Sequence, residues 1–525
     1  MKDKLYRKQL FLHLDGIVVI SNIAVLNKIK ILKFIKSNQS FTAQDICTKY
    51  KTNIAYLNVS LRTLLSIGII DISKKEKFKQ IKKYLTNSKH LSIILKYMDN
   101  IILYNSLIPI YLKFHDLLNP NYDDIKLDEE IKTFNFAVNN LKILKINLLN
   151  ESTSDFEKKL YYYFEGMLLG PLLCAIGYHG ILINNSSACN VKTKDLINDI
   201  FLKNNFIDLK NNFTERGDFF IKRSASYGVT VSYLPIFNNL EAILISNTNF
   251  IWERDKKGIE KHVDRGMNVW GSGGSHKYYF KEIDDIIINI FNQDIKSQPK
   301  GIVDMGCGDG TFLKHCYDII MQNTIRKEYM DTHPLLMVGA DINRAARVAS
   351  RKKLNKSNIN NLIINGNISD PLTLNKSLID EYGLELIDFI STRTFLDHNR
   401  IYIEPKEIKY KNILSSGVFC FKGTTIDNDN LINNLIEHFS SWKRYIKKYG
   451  LIILELHTID PELTFKNQGE TLACSYDCTH GFSDQYLVEY DIFIKCAKVA
   501  KLKLVNKSNL FPNSQIPTIS INYFI

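Results

Sequence analysis

Apolar residues recur at helical spacing through the first half of the chain. From about Gly301 they gather into short apolar runs separated by amphipathic stretches. Residues 24–36 carry a helical repeat. Phe41-Thr42-Ala43-Gln44-Asp45 opens a second helix with Thr42 as its cap, and Leu57, Leu61, Leu64 and Leu65 make one face of a third. Gly68 stops that helix before the strand-like run IIDI, so residues 1–80 read as a winged-helix-like module. Residues 90–235 are mainly helical in pattern. Within them NNFIDLKNNFTERGDFFIKR reads as a short strand, a turn and a helix capped by Thr214, a second winged-helix-like element inside a helical lid over 81–265. The alternation of strand and helix over 266–525 predicts an α/β domain with a parallel sheet and right-handed crossovers.

One window, Phe164 to Ile183, has the length and apolar content of a membrane span. Glu165, Pro171, His179 and its glycines make it a buried or broken helix of a soluble protein instead. The composition is that of a globular chain, with 45% hydrophobic and 23% charged residues. The charge sum of +13 raises an anionic partner, but no basic block resembles a nucleic-acid arm, so neither nucleic acid nor a membrane is expected. Nine cysteines without CxxC pairing, Cys189 among them, point away from a disulfide framework and towards a reducing cytoplasm. The start, MKDKLYRKQLFLHLDG, reaches Asp15 too soon for a secretory signal.

The chemistry gathers at the strand ends. Gly301-Ile302-Val303-Asp304-Met305-Gly306-Cys307-Gly308-Asp309-Gly310 is an apolar strand ending in an acid, then glycines at alternate positions leading into a helix. Glycines there allow a sharp turn and close approach of a cofactor. GxGxG preceded by Asp304, rather than GxGxxG, indicates S-adenosylmethionine rather than a dinucleotide, with Gly306, Gly308 and Gly310 as the cradle. The next strand, LLMVGAD, ends in Asp341, placed to accept from both ribose hydroxyls. Asn367 and Ile368 follow the third strand, where adenine is flanked. The fourth runs into Thr392-Arg393-Thr394-Phe395-Leu396-Asp397-His398, expected beside the transferring methyl, with Arg393 towards the cofactor.

The fifth strand, Leu451 to Glu455, leads to His457, and Thr479 to Tyr486 follows as a second polar cluster on the same rim. From the residues alone His457 is a general base, a metal ligand or a hydrogen-bonded core histidine, with His480, Asp484 and Gln485 as candidate partners. The spacing is no zinc signature. Asp397 and His398 either orient substrate, support a metal or hydrogen-bond structurally. Trp270-Gly271-Ser272-Gly273-Gly274 either closes over the methionine end of the cofactor, with Gly271 nearest, or hinges lid to core; His276 and Tyr279 lie just beyond.

MNVWGSGGSHKYYFKEID (267–284), VDMGCGDGTFLKH (303–315), RTFLDHNR (393–400), LELHTID (454–460) and THGFSDQYLVEYD (479–491) resemble one family. It is the mononuclear-iron-dependent C-methyltransferases of polyketide synthase loading modules, of the apratoxin starter-unit type. The likeness runs from HLDGI (13–17) through YGVTVSYLP (227–235) to TISINYF (518–524), and the HTID and HGFSDQY pair is its most specific part. The resemblance implies a class I, Rossmann-like S-adenosylmethionine-dependent methyltransferase core with a mainly helical N-terminal lid containing winged-helix-like elements. It also implies iron or manganese held at His457 and Gln485 to chelate a malonyl-type thioester on an acyl carrier protein. Unlike the loading-module members, this chain stops after the sheet, so the expected acceptor is a separate carrier protein or a free small molecule.

The expected function is therefore a metal-assisted C-methyltransferase, with His457, Gln485, Asp397 and His398 as catalytic residues. Two alternatives stay open. One is a metal-independent O-methyltransferase using His457 as base. The other is a winged-helix DNA-binding regulator sensing S-adenosylmethionine, although LNVSLRTLLSIG offers only Arg62 as a basic residue. The N-terminal module also leaves homodimerisation open.

Overall fold

The computed structural model describes residues 2–73, 82–117, 124–181 and 190–525, with the side chains of His115, 124–126 and 275–278 outside that description. Two compact units emerge. One comprises Met1–Ser272, Lys422–Thr425 and Asp460–Asp484, and the other Gly273–Phe421, Ile426–Ile459 and Gln485–Ile525.

The first unit is built on two long helices, Lys2–Lys28 and Asp155–Tyr178. Both are long and apolar enough to cross a membrane, yet 89% of each such window is buried inside the protein. A helix apolar on all sides needs neighbours on all sides, and these two supply them for each other. At Gly16 an added Cβ would lie 2.4 Å from Tyr163 Cα, and at Gly166 it would lie 2.3 Å from His13 Cα. Only glycine lets the backbones approach so closely. Beside this crossing Glu165 accepts from His13 Nε2 (2.8 Å), Arg216 Nη2 (2.8 Å) and Tyr161 Oη (3.1 Å), a buried charge with each attraction satisfied. Burial alone would raise the Glu165 carboxyl, but Arg216 and His13 draw it down to about 2.

The expected helix over 24–36 is two elements. Lys2–Lys28 ends, Lys30 takes a left-handed conformation (φ +66°), and Ile31–Ser37 starts afresh. Helices Ile31–Ser37, Ala43–Tyr50 and Ile54–Ser66 accompany a small sheet in the order Ser40–Thr42, Lys83–Thr86, Ile70–Ile72. Thr42 caps its helix through a reciprocal box with Asp45, and Gly68 turns the chain at φ +72°. Thr214 caps Glu215–Ile221 behind a bridge between Ile207 and Phe213.

The second unit carries a seven-stranded sheet. Its strands in chain order are β1 (Gly301–Met305), β2 (Leu336–Ala340), β3 (Asn361–Ile364), β4 (Ile390–Thr394), β5 (Leu451–Leu456), β6 (Asn509–Phe511) and β7 (Ile519–Phe524). They lie in the order β6-β7-β5-β4-β1-β2-β3. All pairs from β3 to β5 are parallel, and β7 runs antiparallel to both β5 and β6. The parallel strands are near-continuously apolar because both faces are covered. Helix Asn428–Ile446 lays Leu435, Phe439 and Trp442 into a core shared with Val303, Met305 and Ile453. Order reverses between β1 and β4, and ligands of such sheets bind outside the strand carboxyl ends at that switch point. The sheet with its helical N-terminal partner is the expected α/β architecture.

Candidate functional site

At the end of β1 the chain turns through Gly306 (φ +70°), Gly308 (φ +53°) and Gly310 (φ +78°) into helix Thr311–Asn323. A Cβ at Gly306 would meet Leu396 at 2.9 Å, and one at Gly310 would meet Ser350 Oγ at 2.6 Å. The loop is therefore glycine for both conformation and space. Asp304 is fully buried, with Thr392 Oγ1 donating to its Oδ1 (3.0 Å) and no hydrogen-bond partner for Oδ2 among the described residues. Burial pushes its carboxyl up to about 8, so it is protonated at neutral pH. Asp341, next after β2, accepts from Gly308 N–H (3.2 Å) and Asn343 N–H (2.7 Å), which ties the second strand end to the glycine loop. Asn367 turns the chain after β3 by accepting from Ser369 N–H (2.9 Å), and Trp442 Nε1 donates to the Ile368 carbonyl (2.8 Å). Four strand ends thus present their polar residues around the switch point.

Arg393 and Asp397 are engaged with each other. Arg393 Nη1 donates to Asp397 Oδ1 (2.6 Å), which also receives His438 Nε2 (2.9 Å), and the guanidinium stacks 4.3 Å from the Trp442 ring centroid. Burial would raise the Asp397 carboxyl, but Arg393 and His438 hold it well below its ordinary range, while burial lowers His438 to about 4. Arg400 Nη1 donates to the Asp397 carbonyl (2.8 Å). The cluster braces the turn after β4, and the bonds Arg393 makes run to it.

His398 sits differently. Its Nδ1 meets Glu455 Oε1 at 2.5 Å and its backbone N–H donates to Glu455 Oε2 (3.1 Å), so an acid near the end of β5 grips a histidine just after β4. Leu456 N–H also donates to Oε1 (2.7 Å). With Nδ1–H given to a carboxylate, the lone pair of this imidazole is on Nε2.

His457 is buried, with Nδ1 3.2 Å from the Val488 carbonyl and Nε2 2.7 Å from Ser520 Oγ. Asn522 Nδ2 donates to that same oxygen (2.7 Å), so the Ser520 hydroxyl gives its proton to Nε2 and His457 carries its own proton on Nδ1. Burial lowers its pKa to about 3. The residue is neutral and a weak base, in the tautomer that offers Nε2 to an electrophile. Gln485 is buried and opens the segment whose Tyr486 N–H donates to the His398 carbonyl (2.8 Å) and whose Val488 carbonyl receives His457. His480 and Asp484 belong to the first unit: His480 Nδ1 bonds the Tyr476 carbonyl (2.8 Å), and Asp484 accepts from Tyr56 Oη (2.9 Å) and Trp252 Nε1 (2.7 Å).

His457 is the histidine that a metal at this rim would meet. Its neutral state and a proton fixed on Nδ1 suit a metal ligand, because a carbonyl partner on the other nitrogen orients the ring. The Ser520 hydroxyl would have to turn aside. Among the described residues no group of three or more His, Cys, Asp or Glu forms a ready metal site.

Gly271 lies in the first unit, where a Cβ would stand 2.6 Å from Gly228 Cα; close packing accounts for this glycine. His276 has its side chain, and Cys189 its whole placement, outside the described residues, while the other eight cysteines are buried and none of them is in a disulfide. Glu455 and Ser520 are only weakly marked in the sequence. An acid inside the apolar run LIILEL and alternate Ser and Asn in the buried strand ISINYF were the signals available.

This sheet order, with a glycine-rich loop after β1 and an acid after β2, is that of a class I methyltransferase. Residues 260–522 match the model of the AprA MT2-like domain, and the chain belongs to that family. Residues 6–72 match the AprA N-terminal domain and 165–247 the AprA winged helix domain. The protein is accordingly a methyltransferase dependent on S-adenosylmethionine. Similar solved structures include the C-methyltransferase domain of the citrinin polyketide synthase, at 12% identity and a TM-score of 0.36, covering 75% of this chain and 95% of that one. Human N-acetylserotonin methyltransferase follows at 11% and 0.37, over 71% and 99%. The CurJ carbon methyltransferase stands at 10% and 0.35, over 80% and 97%. No curated protein matches the chain.

Proposed function

We propose that this methyltransferase acts on carbon, placing a methyl group on C2 of a malonyl-type acyl group held as a thioester on an acyl carrier protein. The observation that carries the reading is the His398–Glu455 pair at the ends of β4 and β5. A carbon acid must lose a proton before it attacks a sulfonium, so the site needs a base whose orientation is fixed. Glu455 holds Nδ1–H of His398 and stabilises the imidazolium formed when Nε2 takes the C2 proton. The carbanion then forms the new C–C bond as the S–CH3 bond breaks in line, and the electron pair stays on sulfur. His457, neutral and lowered to about 3, is not the base, which disfavours an O-methyltransferase built on it.

His457 Nε2 and the Gln485 amide oxygen would hold iron or manganese. Such an ion supplies Lewis-acid polarisation of the two acyl oxygens, easing loss of the C2 proton. What supports this part is the ligand-competent tautomer of His457 and the family resemblance. Metal content by mass spectrometry on anaerobically purified protein is the test, wild type beside His457→Ala and Gln485→Ala. Near-stoichiometric iron or manganese lost in both variants supports the assignment, and wild type that stays metal-free after reconstitution rejects it. Incubation with malonyl carrier protein and S-adenosylmethionine tests the acceptor, and a methyl found on oxygen or nitrogen rejects carbon transfer.

A further inference from the structure

The first residue beyond β4 is Phe395, and its φ is +55°. A bulky side chain in the left-handed region is strained and persists only where the surroundings determine it. Here they do. Its N–H donates to the Leu454 carbonyl on β5 (2.7 Å), and the next residue, Leu396, fills the space above Gly306. The turn delivers the half-buried Phe395 ring to the switch point, edge to face with Tyr279 (centroids 6.2 Å, planes at 74°). Tyr279 in turn stands edge to face with Phe511 at the end of β6 (5.1 Å, 71°).

This aromatic row crosses the strand ends from β4 towards β6, the half of the sheet that also bears Glu455 and His457. Asp341 and Asn367, suited to ribose and adenine, lie on the opposite half, after β2 and β3. The ring faces and edges of this row, on the half of the sheet away from Asp341 and Asn367, suit a hydrocarbon chain. We propose that Phe395, backed by Tyr279 and Phe511, is the apolar wall against which the acceptor's acyl group lies, and that it limits the bulk of the C2 substituent accepted. This rests on the acyl C-methyl transfer reading and adds the residue that sets its selectivity.

The test uses full-length Phe395→Leu, Phe395→Ala and Phe395→Gly beside wild type. Acyl-pantetheine thioesters bearing hydrogen, methyl, ethyl or isopropyl at C2 are titrated by calorimetry with S-adenosylhomocysteine present, then assayed for turnover with S-adenosylmethionine. A methylene in an apolar pocket is worth about tenfold or more in selectivity. The expected result is a shift of at least about tenfold in Kd ratio towards the bulkier thioesters in the Ala and Gly variants, with Leu intermediate and S-adenosylhomocysteine affinity unchanged. The Gly variant, relieved of backbone strain, should shift selectivity without losing thermal stability. Unchanged ratios with a lower Tm would reduce Phe395 to packing, and a tenfold loss of S-adenosylhomocysteine affinity at unchanged ratios would put its ring on the cofactor. Wild type that binds the thioesters but never methylates them defeats the C-transfer reading while the binding ratios still decide the wall; wild type that binds none defeats both.

Discussion

At the residue scale, two imidazoles at neighbouring strand ends are set to opposite tasks by their partners. His398 faces a carboxylate, whereas His457 faces a carbonyl and a hydroxyl and is held neutral by burial. His398→Ala should therefore lower kcat by about 10²–10⁴ while leaving S-adenosylmethionine affinity within a factor of two, as general-base removal does. Glu455→Gln should lose less, since an amide oxygen still accepts Nδ1–H. Single-turnover rates beside calorimetric binding separate the two effects, and a His398→Ala enzyme with wild-type turnover would remove the base. Asp304 gives a pH prediction. In the fold it keeps its proton to about pH 8, whereas its ordinary value is 3.8, so between those limits the unfolded chain binds fewer protons and stability falls as pH rises. Asp304→Asn keeps an acceptor for Thr392 and has nothing to ionise; its Tm should decline less than wild type's between pH 5 and pH 8, by differential scanning fluorimetry. The glycine loop, Asp341 and the polar turns after β3 and β4 were legible in the sequence because strand-end chemistry is local. The Arg393–Asp397–His438 cluster was not, because His438 comes from a helix 41 residues beyond Asp397.

At the element scale, periodicity located most helices and strands, and the misses have local causes. Helical spacing at 24–36 runs through Lys30, whose left-handed backbone breaks the helix without a glycine or proline to announce it. Strand β6 has only three residues, too few for alternation to show, and it is recognised by its pairing with Ile519–Ile521 rather than by its own pattern. The apolar stretch that imitates a membrane span is explained by its partner helix. Gly16 and Gly166 set the close crossing of Lys2–Lys28 with Asp155–Tyr178, and a methyl at either would fall within 2.5 Å of backbone. Gly166→Ala should lower stability by about 1–3 kcal/mol in urea unfolding through overpacking. Gly180→Ala is the control: the added Cβ meets nothing within 4 Å, so only its φ of +66° is penalised, and its midpoint should move less. Equal shifts in both variants would mean that the crossing is looser than the backbone positions indicate.

At the scale of the whole molecule, chain order and spatial order part company. The chain passes between units at Ser272 and Gly273, and Asp460–Asp484 then returns to the first unit. No composition shift marks that return, because a segment entering one apolar core looks like a segment entering another. Within the first unit the returning segment is firmly held. Asp477 pairs with the buried Arg62 (2.9 Å), Ser475 N–H donates to Asp15 (3.1 Å), and Gln468 donates to Tyr163 Oη (2.9 Å) and the Ser66 carbonyl (3.1 Å). Removing Asp477 alone takes a buried guanidinium from its ion-pair partner, a loss of about 3–5 kcal/mol, comparable to the whole stability of many domains. A fragment of residues 1–272 should therefore lack a cooperative thermal transition and expose apolar surface to dye. The same fragment carrying 460–484 on a flexible linker should regain the transition, and Asp477→Ala in the fused segment should weaken it again. A sharp transition in 1–272 by itself would show that the returning segment decorates the first unit rather than completes its core.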